Sequence, residues 1–531
     1  MASVIKNHQK VLQMGFISTD RNQMNLFGYS LNDFVPKDAK CRFVADIVSR
    51  LDLNELYQRY SNQGNYAFEP SIMLSTWFYA YSEGLSSTRK VEEKCQRDLH
   101  YMFVSGNLKP DHTSLSRFRK THIDLISDYF VQIVKIAVES GLSDFKQIAI
   151  DGSKIQASSS AKHTKTSEEL SQYLVKVRRD IEIYMRQCDL LDEDLSDLNT
   201  LEEIRHKIEH LKQKEQELLT HQKKLDARKK TLKAEHRKNH KINTAEPEAR
   251  NMNKVNGKQK LPAYNVQIGV DTQTQLIVAN ETVTDSNDYD QLARQHKNVE
   301  SNLGPAKDRC YIYDAGYHNL EQLEYIHTNQ INAFVVSPRK VNNEQERSFE
   351  NKEKFEHTDF VYNHRDDYYK CPAGNHLVYE KDYCKANKWS GKVYKTDACP
   401  GCPLRKQCLA QNKNSKYRRI RREHREIYAE WMQKQGQTEQ GKQKQRIRST
   451  TVEPAFGNLK ANLGFRRFRL KGQKLVSGEF NLMCIAHNLN KLFKIMANPI
   501  PGLQISSNYL KTLCQRTLMQ YFIKIRLILP L

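Results

Sequence analysis

Three acidic residues stand where a short apolar run stops or a helix begins. Asp151 follows QIAI in FKQIAIDGSKI, Asp314 follows CYIY in YIYDAGY, and Glu453 lies in VEPAFGNLK. Carboxylates gathered at one edge repel each other, by about 1 kcal/mol per pair at ~4 Å in water and about 4 kcal/mol near a protein surface. A divalent cation reverses that sign, and hard oxygen ligands with open water positions suit Mg²⁺ or Mn²⁺. Two such ions can activate a water or a 3′-hydroxyl and stabilise the leaving oxygen of a phosphodiester. Taken singly, each acid has a plainer reading. Asp-Gly is common turn chemistry, and a glutamate in the first turn of a helix is favoured by the dipole. The chemistry depends on whether the fold brings the three together.

Sulfur makes a second group. Five of the 11 cysteines, Cys371, Cys384, Cys399, Cys402 and Cys408, fall within 38 positions. In a reducing compartment such clustering favours a metal site over bridges. Cys399-x2-Cys402-x5-Cys408, preceded by Cys371, offers four thiolates, enough for a closed tetrahedral Zn²⁺ site. Cys384 is then a spare or an alternative fourth ligand, and free thiols are the competing reading. A redox role for CPGC fits less well, because the motif lacks the βαβ setting of a thioredoxin site.

The elements that must position these residues can be read from periodicity. Strand-like runs occur at QIAI (147–150), YNVQIGV (264–270), QLIVANETVT (275–284), CYIYD (310–314) and NAFVVS (332–337). DTQT between the second and third has hairpin spacing. Helical patterns fill DYDQLARQHKNVESNLG and HNLEQLEYIHTNQ, and another helix begins near Thr451. The order strand, strand, strand, helix, strand, helix, strand, and later a helix predicts a mixed sheet with helices packed on it. It is the order of an RNase H-like catalytic core, in an α+β or mixed α/β fold over residues 140–497. In that topology the first strand ends at Asp151, beside the fourth strand ending at Asp314. Thr450 or Thr451 is the expected N-cap of the last helix, with Pro454 in its first turn. Glu453 then has Phe456, Gly457 and Lys460 on its face.

Two insertions interrupt this core. In 164–245, Leu170, Leu174, Val177, Ile181, Tyr184, Cys188 and Leu191 step at alternating spacings of four and three. Ile204, Ile208, Leu211, Leu218, Leu225 and Leu232 continue the heptad, with polar interruptions at Glu215 and Gln222. The pattern predicts a coiled-coil-like helical hairpin, or else a dimer contact. The second insertion, 341–448, holds the cysteines and then a basic run. Residues 1–125 read as a helical, DNA-binding domain with a basic edge at Arg117, Arg119 and Lys120, and 498–531 as a C-terminal tail.

A chain of 531 residues exceeds one compact core, which stops growing at about 250–300 residues. Its 84 Lys+Arg against 62 Asp+Glu give +22, a field suited to nucleic acid or an acidic membrane surface. No apolar stretch approaches the ~20 residues of a membrane span. MASVIKNHQK lacks the apolar region of a secretory signal, so a cytoplasmic protein is expected. From Arg405 to Arg448 there are 14 Lys/Arg against four Glu, too one-sided for a mixed solvating face. Arg418, Arg419, Arg421 and Arg422 there, with Arg466, Arg467, Arg469 and Lys471, are the expected phosphate contacts.

AIDGSKI, YIYDAGY and VEPAFGNLKANLGFRRFRLKG, in that order, resemble the three acidic blocks of bacterial insertion-sequence transposases of the DDE, RNase H-like class. The nearest type has an N-terminal helical domain and a Cys-rich insertion before the glutamate. PDHTSLSRFR, YNVQIGVD and CPGCPLRKQC resemble further blocks of that type. The resemblance implies DNA transposition, with Asp151, Asp314 and Glu453 holding two Mg²⁺ or Mn²⁺ ions. It also implies double-stranded DNA partners, the terminal repeats and the target, and a homodimer or higher assembly on DNA, nucleoid-associated in a bacterial cell. Related transposases carry Tyr-x2-Arg-x3-Glu-x6-Lys. Glu453 and Lys460 fit it, whereas Ser449 stands at the arginine position, one residue from Arg448, and Arg446 stands at the tyrosine position. A nuclease that cuts without joining and a DNA-binding regulator derived from a transposase are the competing functions.

Overall fold

The computed structural model describes residues 17, 30–61, 66–192, 198–231, 237, 240–253, 260–337, 353–385, 389–409 and 414–498. Of the expected C-terminal tail only Asn498 is among them, and Leu232 of the heptad also lies outside the described residues. Contacts divide the chain into two units, Met1–Asp288 with Lys297–Ala306 and Thr450–Leu531, and Tyr289–His296 with Lys307–Ser449. Both mix helices and sheets.

The first unit begins with helices α1 (Lys40–Arg50), α2 (Pro70–Ser82), α3 (Thr88–Arg97), α4 (His112–Thr121) and α5 (Ile126–Glu139). In α1 the apolar face Cys41, Phe43, Val44, Ile47 and Val48 is buried. Helix α2 is apolar nearly all round and is buried from Ile72 to Ser82, which makes it the centre of the group. The Asp111 side chain caps α4, accepting from Thr113 N at 2.8 Å and Ser114 N at 2.9 Å.

The sheet follows as β1 (Gln147–Gln156), β2 (Arg250–Asn253), β3 (Lys260–Asp271) and β4 (Ile277–Val283). Strand β3 is central. It pairs antiparallel with β1 on one side and with β2 and β4 on the other. Its residues Ala263–Asp271 are buried on both faces, the polar Asn265, Gln267 and Asp271 among them. The β3–β4 turn is tied by Asp271 Oδ2, which accepts from Thr274 N at 2.8 Å and Thr274 Oγ1 at 2.6 Å. One expectation needs correction here. Asp151 does not end β1; it lies within it, opposite Ile268, and pairing continues to Gln156 opposite Ala263. The register is unbroken from Ile148 to Gln156 and Ile155 beyond it is fully buried, so the Asp-Gly pair is extended strand rather than a turn.

Between β1 and β2 the chain makes two long helices, α6 (Ser167–Asp192) and α7 (Leu198–Thr231). Leu170, Leu174, Val177, Ile181, Leu218 and Leu225 form one buried cluster. Both polar interruptions of the heptad bridge the arms. Arg178 Nε meets Glu215 Oε1 at 2.6 Å, and Gln222 Nε2 donates to Ser171 Oγ at 3.4 Å. These contacts set the arms antiparallel within one chain. At the base, Thr164–Lys165 pairs with Ile242–Asn243.

In the second unit, β5 (Cys310–Tyr313) pairs in parallel with β6 (Ala333–Val335), and α9 (Leu320–Thr328) connects them. Ahead of β5 lies α8 (Leu292–Leu303), which contains a boundary between the units. The Cys-rich insertion is itself a five-stranded antiparallel sheet, β7 (Val361–Asn363), β8 (Tyr368–Lys370), β9 (His376–Lys385), β10 (Trp389–Lys395) and β11 (Arg419–Glu423). Phe355, Phe360, Tyr369, Leu377, Tyr394 and Ile420 make its core. Helix α10 (Glu426–Gln437) then packs on α9 and β6.

Helix α11 (Glu439–Gly457) leads through a π-helical turn, Asn458–Asn462, to α12 (Gln473–Ala497), the last helix among the described residues. Helix α12 packs against α2, α5 and β4. At Gly478 it comes so close to Ile123 that a Cβ would collide with that residue's side chain and carbonyl. Among the described residues no helix is long and apolar enough to cross a membrane.

The buried seam of the hairpin predicts a local cost of truncation. Leu225→Ala should destabilise α6 and α7 by about 2–5 kcal/mol. Hydrogen exchange should quicken across these helices and stay unchanged in β3. Unaltered protection of α6 would show that the arms do not support each other.

Candidate active site

Asp151 is half-buried on β1, and its Oδ1 accepts from Gly152 N at 2.7 Å. Strand alternation puts Ser153 on the same face. Lys460, from the π-helical turn, donates through Nζ to Ser153 Oγ. Burial pushes the Lys460 ammonium down to about 8, while the Asp151 carboxylate acts in the opposite sense. The ammonium also stands 5.5 Å from the centre of the Phe456 ring. Glu453 is exposed on α11, two helical turns before Lys460.

The helix carrying Glu453 differs from expectation. It starts at Glu439, not at Thr450 or Thr451, so Glu453 is outside its first turn and Pro454 is in its interior. Proline has no N–H to offer the carbonyl four residues back. Gln275 makes up that loss, its Nε2 donating to Thr450 O at 3.4 Å. Gln275 has φ +58°, and Lys491 Nζ donates to its Oε1 at 2.5 Å. Beyond the proline, Leu463 N reaches back five residues to Asn458 O at 2.9 Å. Such a turn is wider than an α-turn and re-aims the side chains within it.

His487 holds this turn from below. It is fully buried on α12, and its Nε2 lies 2.9 Å from Gln275 O. With Nε2–H donating there, Nδ1 accepts from Asn458 Nδ2 at 3.0 Å. Burial lowers the imidazole to about 4 and so keeps it neutral. Asn488, also buried, exchanges both bonds with Ile277, accepting from N at 2.8 Å and donating to O at 2.7 Å. Sequence reasoning missed Gln275, Asn458, His487 and Asn488. For His487 and Asn488 the signal was a pair of adjacent polar residues inside the apolar run LMCIAHNLNKLF; Gln275 and Asn458 carried none.

The other face of β1 holds an acid that was also missed. Asp288 Oδ1 accepts from Asn265 Nδ2 at 2.8 Å and from Gln267 Nε2 at 2.5 Å. Both amides lie on buried positions of β3. A Cβ at Gly152 would collide with Asp288 Oδ1 and Gln267 Nε2, which explains a glycine directly after Asp151.

In the second unit Asp314 follows β5 and is 41 % exposed; Arg448 Nη2 stands 3.3 Å from its Oδ1. An arginine one residue before the motif position therefore reaches an acid of the candidate set. Cys371, Cys399, Cys402 and Cys408 line one small cavity at the edge of the insertion's core. Arg418 N donates to Cys399 Sγ at 3.4 Å. Burial, and then the neighbouring Cys399, Cys371 and Cys402, push the Cys408 thiol up to about 11. Cys384 is exposed on β9 and does not line that cavity. Among the described residues, no group of three or more His, Cys, Asp or Glu is gathered closely enough to hold a metal ion.

The expected phosphate contacts divide. Arg119 is corrected: it is 7 % exposed, stacks 4.4 Å over Trp77, and donates to Tyr81 Oη and Ser86 O, so it belongs to the core. Arg117 and Lys120 remain exposed on α4. Arg419 pairs with Glu380 at 2.7 Å and Arg422 with Glu430 at 2.5 Å. Arg418 lies 5.4 Å over Phe360 and Arg421 5.7 Å over Tyr383. By contrast, Arg466, Arg467, Arg469 and Lys471 are exposed, and Arg467 bridges to Gln156 at the end of β1.

Residues 370–493 match a family described as a transposase DDE domain, and residues 29–121 match a transposase domain. The first match contains Glu453, Lys460 and the four clustered cysteines; the second contains helices α1 to α4. Together they support an insertion-sequence DDE transposase, a family that generally uses divalent metal ions and acts on DNA. No curated protein and no solved structure matches the chain.

The collision at Gly152 yields a test. Gly152→Ala should lower stability by about 1–3 kcal/mol, because the methyl must displace the Asp288–Gln267 pair. Thermal unfolding beside Gly401→Ala, where no atom lies within 4 Å of an added Cβ, measures it. Equal melting temperatures would show that the Asp288 contact is dispensable.

Proposed function

We propose that this chain is a DNA transposase, built on an RNase H-like core, that cleaves and joins strands at the ends of an insertion sequence. The observation that carries the reading is the placement of Lys460. It reaches the Asp151–Ser153 face of β1 from the same helical stretch that bears Glu453. Asp151, Asp314 and Glu453 are the proposed ligands of two Mg²⁺ or Mn²⁺ ions. The donor set fits such ions: all three are carboxylates, each at least partly open to solvent. Asp151 and Asp314 also face cationic side chains already, as anionic groups suited to a cation do. When bound, the ions would lower the pKa of an attacking water or 3′-hydroxyl and stabilise the leaving oxygen.

The remaining roles belong to side chains. Lys460, held by Ser153 and lifted by the π-helical turn, supplies a positive charge for a non-bridging oxygen of the scissile phosphate. Its partial burial strengthens that interaction relative to water. His487 and Asn458 fix the turn. Gln275 keeps the helix intact across Pro454. The exposed Arg466, Arg467, Arg469 and Lys471 hold the flanking DNA backbone, and Arg117 and Lys120 extend that contact. We further propose that Cys371, Cys399, Cys402 and Cys408 bind one structural Zn²⁺, to which the shared cavity and the amide bonded to Cys399 are suited.

Two results are expected. First, Asp151→Asn, Asp314→Asn and Glu453→Gln should each abolish Mg²⁺-dependent cleavage of a transposon-end duplex. Gel-shift affinity should change little, because phosphate contacts elsewhere supply it. Lys460→Ala should slow cleavage and leave metal binding intact. Joining of a pre-cut 3′ end to a target separates a transposase from a nuclease. Wild-type cleavage by all three carboxylate variants would sink the mechanism. Second, metal analysis of protein purified without chelator should find about one zinc per chain. Freely reactive thiols and no zinc would remove that site.

A further inference from the structure

The base of the helical hairpin encloses a polar cleft of about 620 Å³ that the catalytic reading does not use. Its size falls in the ~300–1,000 Å³ range of small-ligand sites. Five elements build it: the turn before α6, the re-entry segment after α7, the paired strands β2 and β3, and the segment after β4. His240, Lys241, Arg250 and Lys260 line it, against a single acid, Asp285. Thr164 and Ser286 add hydroxyls to the wall.

Two buried polar atoms of residues lining this cleft, Arg250 Nε and His240 Nε2, have no hydrogen-bond partner among the described residues. Buried guanidinium N–H groups are bonded in stable proteins, because an unsatisfied one forfeits its hydration. Positive neighbours aggravate the situation. Arg228 and Lys229 of α7 also act on His240, and together with Arg250 and burial they lower its pKa. Asp285 opposes the shift that burial imposes on Arg250. A cluster of cations around a roomy polar cleft, with buried polar N atoms that meet no partner among the described residues, is the inverse of a carboxylate metal site. It calls for a ligand of opposite sign.

We propose that this cleft binds a phosphate group through Arg250, with Lys241 and Lys260 flanking it. The guanidinium fork suits two phosphate oxygens, and the lysines act as point charges. The threonine and serine hydroxyls can donate to a third oxygen. The phosphate can belong to a DNA backbone or to a free nucleotide, and the two share this chemistry. A backbone phosphate here would give the DNA a contact separate from the exposed Arg466–Lys471 cluster. The inference does not depend on strand cleavage, since binding at this cleft needs neither divalent ions nor the candidate triad.

The test is lysine acetylation mapped by mass spectrometry on the full-length protein, in chelator and at constant ionic strength. Probes are inorganic phosphate, deoxyadenosine monophosphate and a short duplex, with exposed Lys223 on α7 as reference. Lys241 and Lys260 should be protected several-fold relative to Lys223 by at least one probe. Protection by the duplex alone assigns the site to backbone phosphate; protection by phosphate or nucleotide alone assigns it to a free anion. Arg250→Gln should abolish protection at both lysines. It should also reduce the log–log salt slope of duplex binding by ~0.9 if the ligand is DNA. Because Arg250 lies on β2, Lys260→Gln, at an exposed position, serves as a second variant and should lower protection of Lys241. No protection by any probe, equal protection of Lys223, or protection unchanged in both variants would overturn the proposal.

Discussion

Glu479 carries a carboxylate that water does not reach. It lies on α12 with no exposed surface, accepts from Arg469 N and Leu470 N at 2.9 Å each, and receives Tyr81 Oη at 3.3 Å. Arg119 donates to the same tyrosine at 3.0 Å. Burial raises the Glu479 pKa, while Arg119 and the two amides oppose the rise. Stripping one partner from a buried pair typically costs 3–5 kcal/mol, so this network constrains everything attached to it. Three pieces meet there: the N-terminal helices through Tyr81 and Arg119, the last helix through Glu479, and the basic loop through its backbone. The exposed side chains of Arg466, Arg467 and Arg469 project from a loop whose main chain is pinned at its far end. A DNA-binding loop held in this way presents its charges without first having to be ordered.

The active helix illustrates how a local defect can be put to use. Pro454 and the π-helical turn are both departures from a regular α-helix, and they lie within eight residues of each other. Each is compensated by a polar residue from another element, the half-buried Gln275 for the proline and the buried His487 for the turn. Straightening the turn would rotate Lys460 off the Ser153 hydroxyl. Local irregularity that is stabilised from outside the helix is the expected signature of a position selected for aim rather than for stability.

Much of this was legible beforehand, and the remainder was hidden for definable reasons. The central strands were visible because buried apolar residues recur along them at short spacing, as Ile148 and Ile150 do in β1 and Val266, Ile268 and Val270 do in β3. The hairpin seam was visible because Leu170, Leu174, Val177 and Ile181 keep one spacing. The start of α11 was hidden: GKQKQRIRSTT has no apolar stripe, and Pro454 looked like a first-turn proline. The sheet in the Cys-rich insertion was hidden because its first two strands are only three residues long and its core is largely aromatic, with Tyr369 and Tyr394 among charged neighbours. Arg119 could not be separated from Arg117 and Lys120 by composition, since only its position on the helix turns it inward. The basic run at 405–448 overstated its own field, because Glu380 and Glu430 neutralise two of its arginines in place. Gln275 and His487 work through tertiary contacts, which no window along the chain contains.

The short pairing of Thr164–Lys165 with Ile242–Asn243 bears on how the sheet assembles. Strands β1 and β3 are neighbours separated by roughly a hundred residues, and closing so long a loop is slow and entropically unfavourable. Helices α6 and α7 involve only contacts local to themselves, and helical hairpins of this kind form quickly. Once they zip together, their ends lie side by side, and the loop that β1 and β3 must close shrinks about fourfold. At ~0.6 kcal/mol per doubling, the saving is about 1.2 kcal/mol before any strand contact is made. The insertion thus acts as a folding clamp, converting a pairing across roughly a hundred residues into a medium-range one.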